Sequence, residues 1–171
     1  MKISSKEKQE LEDIYSSFKE NDKIQRMKLV PMHRGSNCFI HCFRVAKLAI
    51  KRTLRYKKAD LKLVLLGSIL HDYYLYDWRV DKSKKKRHGY NHPFIASKNA
   101  EEDFQIPQEV KNIIESHMWP MNIKNFPKSK EARIVSLSDK AIALKEALTS
   151  KSFKKKREEK YYSSIESLFN K

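Results

Sequence analysis

Apolar residues recur along this chain at intervals of three and four, and nowhere do they alternate with polar ones over the length of a strand. That periodicity belongs to helices with one inward face. Three glycines and five prolines in 171 residues leave long stretches with nothing to turn or break a helix. The pattern therefore predicts an all-α bundle, and about 40% apolar residues suffice for one core.

Local signals divide the bundle. Ser4 and Glu7 have capping-box spacing and predict a first helix to about Glu20. Pro31 and Gly35 break the pattern. A second helix is expected from Ser36 or Asn37, with His41, Val45, Leu48 and Ala49 on one face, ending near "RTLRYKK". Asp60 is placed to cap a third helix through "LKLVLLGSIL". Asn91 reads as the N-cap of a fourth, with His92 and Pro93 in its first turn. Pro107 opens a fifth, which stops before Trp119 and Pro120. In "KEARIVSLSDKAIALKEALTS", Ile134, Leu137, Ala141, Leu144 and Leu148 mark the predicted inward face of a sixth. A short helix with Ile165, Leu168 and Phe169 is expected in the basic tail 151–171. The whole, 1–171, reads as a single domain.

Lys and Arg outnumber Asp and Glu by 37 to 21, a formal net charge of +16. Such a charge attracts polyanions and phosphorylated ligands, and is equally the composition of a solvated basic surface. No run of about 18 apolar residues spans a membrane. The N-terminus, "MKISSKEKQELEDIY", has no apolar signal region, and Cys38 and Cys42, four apart on one helix, are ill placed for a disulfide. A reducing cytoplasm is the expected location. Buried packing suits these thiols better than zinc ligation with His41.

The chemistry concentrates in the histidines. All six lie between positions 33 and 117. His41, His71, Asp72, His92, His117 and Asp139 each fall at a helix end or on an apolar helix face. Bundles build core sites from facing helices in this way, and imidazole with carboxylate suits divalent transition metals. Four histidines and two aspartates are enough for two ions sharing a bridging carboxylate. Taken singly, each is as well explained by a hydrogen-bonded core histidine or a capping aspartate. Tyr73, Tyr74, Tyr76, Trp78 and Trp119 flank these residues, as core or as a stacking surface for a nucleobase.

The stretches "GSNCFIHCFRVAKLA", "ILHDYYLYDW", "HGYNHPFIASKNAEEDF", "IIESHMWP" and "IVSLSDKAIALKE" carry the order His, His-Asp, His, His, Asp. That order resembles the HD-domain metal-dependent phosphohydrolase superfamily, in the branch with six ligands, over residues 33–146. The resemblance implies a helical bundle in which His41, His71, Asp72 and Asp139 bind a first metal. It implies that His92 and His117 bind a second, with Asp72 bridging and serving as the catalytic carboxylate. His88, four residues before His92, is the alternative ligand; His92 matches the family's "HP" element. The implied reaction is hydrolysis of a P–O bond in a nucleotide or other small phosphate ester by metal-bound hydroxide, with one or two ions of Fe, Mn, Zn, Co or Ni. Lys140, His88, Arg87 and His33 are candidate substrate contacts, and the basic run from Lys82 to His88 is a candidate phosphate grip. A basic nucleic-acid-binding protein, or a nuclease with the same metal site, is the alternative.

Overall fold

The computed structural model describes residues 3–32, 36–56, 59–80, 83, 87–148, 165, 168 and 169. Among them there is no strand beyond one isolated antiparallel bridge, Pro31 with Asn37.

Helix α1 (Ser5–Glu20) begins where the capping box predicts: Ser4 Oγ accepts from the Glu7 N–H at 3.2 Å and Glu7 Oε2 from the Ser4 N–H at 2.8 Å. Asn21 ends it and caps the short α2 (Asp22–Gln25), which runs into a 3₁₀ turn, Arg26–Leu29. Helix α3 (Cys38–Tyr56) starts after Asn37, whose Oδ1 accepts from the Ile40 N–H at 2.9 Å. Helix α4 (Leu61–Leu70) is capped by Asp60, which takes the N–H groups of Lys62 and Leu63 at 2.8 and 3.0 Å. These caps satisfy donors that a helix N-terminus otherwise leaves open.

Helix α4 is apolar almost all round, as a central helix must be. It packs against α3, against α6 (Gln108–Ser116) and against α7 (Lys130–Leu148), and touches α1 and α5 (His88–Phe104). At Gly67 the approach to α6 is close enough that a Cβ would lie 2.6 Å from Ile113 Cγ2. Fully buried Tyr15, Ile24, Met27, Phe39, Ile50, Leu65, Ile69, Ile113 and Ile114 form the core, and Ile165 from the tail joins it. The rest of the basic tail, and with it the helix expected there, lies outside the described residues apart from half-buried Leu168 and Phe169. Among the described residues no helix is long and apolar enough to cross a membrane.

Two expectations are corrected. Helix α5 starts at His88, with Arg87 as its cap residue, not at Asn91. The Arg87 carbonyl already accepts from the Tyr90 and Asn91 N–H groups at 3.0 and 2.9 Å, so Asn91 is inside the helix and His92 in its second turn. The inward face of α7 is also not the leucine stripe. Leu137, Leu144 and Leu148 are 61, 62 and 77% exposed, whereas Ala132, Val135, Ser136, Ser138, Asp139 and Glu146 are buried. This helix faces a polar centre and close-packed neighbours, so its buried positions carry small and charged groups.

Candidate metal centre

The polar centre that α7 faces lies where the ends of α4 and α6 meet the sides of α3, α5 and α7. His41 projects from the first turn of α3. His71 is the C-cap of α4 and Asp72 follows it. His92 comes from α5, His117 is the C-cap of α6, and Asp139 comes from the middle of α7. All six are buried. On one side, His41 Nε2 lies 3.0 Å from Asp139 Oδ1 and 3.9 Å from Asp72 Oδ2, and His71 Nε2 lies 3.4 Å from Asp72 Oδ2 and 3.7 Å from Asp139 Oδ1. On the other, Asp72 Oδ1 lies 3.2 Å from His92 Nε2 and 3.6 Å from His117 Nε2. The Asp72 carboxylate thus divides two sets of donors, one oxygen to each.

The other nitrogen of every ring is anchored. His71 Nδ1–H donates to the Ser68 carbonyl at 2.8 Å, His92 to His88 at 2.9 Å and His117 to Ile114 at 2.7 Å. His41 Nδ1–H donates to Glu146 Oε2 at 2.9 Å, and Glu146 Oε1 accepts from Arg44 at 2.7 Å. Each Nδ1–H so held turns Nε2 inward, the arrangement that orients histidines toward a metal. His71 Nε2 and Asp72 Oδ1 are buried without a hydrogen bond. An orphaned imidazole nitrogen and an orphaned carboxylate oxygen pointing into one centre fit a divalent cation. The histidine groupings able to hold one are His41, His71 and Asp72; His71, His117 and Asp139; and Asp72, His92 and His117; the thiols of Cys38 and Cys42 form a fourth grouping with Asp72.

The electrostatics agree. Burial opposes the charge on Asp72, but His71, His92 and His117 outweigh it and hold the carboxyl well below its usual range. Asp139 is held down in the same way by His41 and His71. Burial also opposes protonation of His41, and Asp139 and Glu146 overcome it, so this ring holds its proton well above the usual histidine range. His117 goes the other way, pushed down to about 3 by burial and by the neighbouring rings of His71 and His92. His71 is likewise held protonated against its burial, by Cys42, Asp72 and Asp139. Buried carboxylates that draw protons onto His41 and His71 would draw a metal cation in their place.

Residues 38–144 match the family model of the HD domain. The chain belongs to the HD-domain family. Proteins of this family are generally metal-dependent phosphohydrolases, and the His71–Asp72 doublet lies at the heart of the site. No curated protein and no solved structure matches the chain. The HD-domain match stops at Leu144, two residues short of Glu146, the buried carboxylate behind His41.

The remaining sequence candidates divide. His33, Arg34 and Lys84 to Lys86 lie outside the described residues. Arg87 is exposed and does not line the site cavity, a space of about 730 Å³ lined by His41, Asp72, His92, His117 and Asp139, with His71 buried behind them. His88 does line it; its Nδ1 meets the Tyr76 hydroxyl at 2.9 Å and its ring stacks between Trp78 and His92. Lys140 also lines it, but its Nζ donates to the His117 carbonyl at 2.9 Å and to Ser136 Oγ at 2.7 Å. Cys38 and Cys42 are buried free thiols; Cys38 Sγ donates to the Asp72 carbonyl at 3.0 Å. Sequence reasoning missed Glu146. Its signal was a charge four residues after Ile142, on the side of α7 opposite the leucines, and the leucine stripe directed attention away from it.

Proposed function

We propose that this HD-domain chain hydrolyses a P–O bond in a small phosphate ester, nucleotides included, using one or two divalent transition-metal ions. His41, His71, Asp139 and Asp72 Oδ2 would hold one ion, and His92, His117 and Asp72 Oδ1 the other. Divalent ions, when bound, make water a nucleophile near neutral pH and draw charge from a phosphoryl group. Iron, manganese, zinc, cobalt and nickel suit four imidazoles better than magnesium does.

The chain's own residues do the rest. Glu146 and the carbonyls of Ser68, His88 and Ile114 fix the rings in one tautomer and one orientation. Asp72 holds two sets of donors in register and stays anionic. Lys140 and Ser136 both donate to the His117 carbonyl and so fix the turn that carries this ligand. In the reaction an oxygen from water bonds to phosphorus, the bond to the ester oxygen breaks, and the departing alkoxide takes a proton to leave as an alcohol.

The observation that carries this reading is the Asp72 carboxylate with one oxygen facing each histidine set. The test is elemental analysis of protein purified without chelator, followed by hydrolysis assays on nucleotides, sugar phosphates and short RNA after loading with each metal. Metal-dependent release of phosphate or cleavage of a diester supports the reading. Protein that binds none of the five metals on titration overturns it.

A further inference from the structure

The cavity over the centre has a polar floor, formed by His41, Asp72, His92, His117 and Asp139, and an apolar wall. Met32, Trp78, Met118, Pro120 and Met121 face it alongside the histidines and aspartates. The wall's polar groups are engaged within the chain. Lys140 Nζ is shared between His117 and Ser136, Arg79 is paired with the Asp77 carboxylate at 3.1 Å, and the Tyr74 hydroxyl donates to the Met32 sulfur at 3.3 Å. A hydroxyl whose partner among the described residues is a thioether marks a wall of low polarity. Methionines there adapt to a flexible occupant, since the unbranched thioether has many rotamers and no strong hydrogen-bonding demand. Met121 is at once part of the wall and 64% exposed, and Ile123 beyond it is 78% exposed, so the apolar surface continues from the cavity to solvent.

We infer that the substrate of this site is a phosphomonoester whose alcohol half is apolar, with its phosphate on the polar floor and its hydrocarbon or aryl body along the methionine wall. The inference rests on the phosphohydrolase reading and adds the class of the leaving group. A polar sugar or a polyphosphate chain laid on this wall would meet side chains already committed to one another, and its buried hydroxyls or charges would go unpaired.

The experiment separates the inference from the reading beneath it. Binding of methyl-, butyl- and octylphosphonate to manganese-loaded protein is measured by calorimetry, since phosphonates are not hydrolysed. Affinity is expected to tighten about fourfold for each added CH₂ until the wall is covered. M121S, at a position too exposed to threaten folding, should reduce the octyl-to-methyl affinity ratio severalfold. Octyl- and methylphosphonate binding within about twofold of each other, or glycerol phosphate or a nucleoside triphosphate binding more tightly than the octyl compound, overturns the inference. In parallel, the matching alkyl phosphates and nucleotides are assayed for hydrolysis. A metal-loaded protein that binds the octyl compound tightly and hydrolyses nothing overturns the phosphohydrolase reading while the apolar wall stands.

Discussion

Glu146 offers a demanding test of how the centre is held. Its carboxylate bridges the His41 ring and the Arg44 guanidinium, and the Arg44 and Glu146 side chains are only 8 and 4% exposed. E146A takes the carboxylate from a buried cation, a loss of about 3–5 kcal/mol when one member of a buried pair is removed. A chain of this size loses about 2–4 °C of melting temperature per kcal/mol, so the metal-free protein should melt roughly 6–20 °C lower. E146Q keeps an acceptor for the His41 Nδ1–H and should lose less. Both changes loosen the outer anchor of a candidate ligand, for which a 10- to 100-fold loss of metal affinity is typical. Thermal denaturation followed by circular dichroism, with and without chelator, and a competitive metal titration read the two effects separately. An E146A protein that melts within about 2 °C of the parent and binds metal equally well would refute the reasoning.

Other perturbations address the remaining parts. D72N should abolish binding of both ions, whereas H92A should lose the second ion and keep the first, as metal-to-protein ratios after dialysis will show. K140M should weaken metal binding at the His117 side and leave the substrate KM little changed; a raised KM with unchanged metal content would instead make Lys140 a phosphate anchor. His88 is pushed down to about 4 by burial and by His92, below the 6.5 of a free histidine. Between those values the unfolded chain binds a proton that the folded one refuses, so His88 stabilises above about pH 6.5 and that contribution is lost as pH falls toward 4. Urea unfolding of metal-free H88Q should show a smaller loss of stability from pH 7 to pH 5 than the parent does.

Where a single side chain decides a local event, the sequence is readable. Ser4, Asn37 and Asp60 each stop or start a helix with one oxygen, and their spacing to the next donors is fixed by the backbone. The all-helical class follows from a period that no sheet tolerates. The order of His41, His71, Asp72, His92, His117 and Asp139 points to a family, and the fold brings them together. What escaped was decided by distant neighbours. The leucines of α7 have the spacing of a core face, yet the centre of the bundle is ionic at that height and only Asp139, Glu146 and small residues can line it. The start of α5 escaped because Asn91 and Pro93 both suit a helix opening; the Arg87 carbonyl starts the helix earlier. Glu146 gains its meaning only from Arg44 and His41, about a hundred positions away.

Gly67 and His71 are one helical turn apart on α4, as are Ile113 and His117 on α6. The Gly67–Ile113 contact therefore lies one storey below the contact of the two histidine rings, whose centroids are 4.9 Å apart. A methyl at Gly67 needs on the order of 1 Å more room to reach an ordinary contact distance. The absent side chain works as a shim: it sets the gap between two rods, and the gap sets how far apart two imidazoles stand. The spacing between the two histidine sets is therefore governed by a residue that belongs to neither.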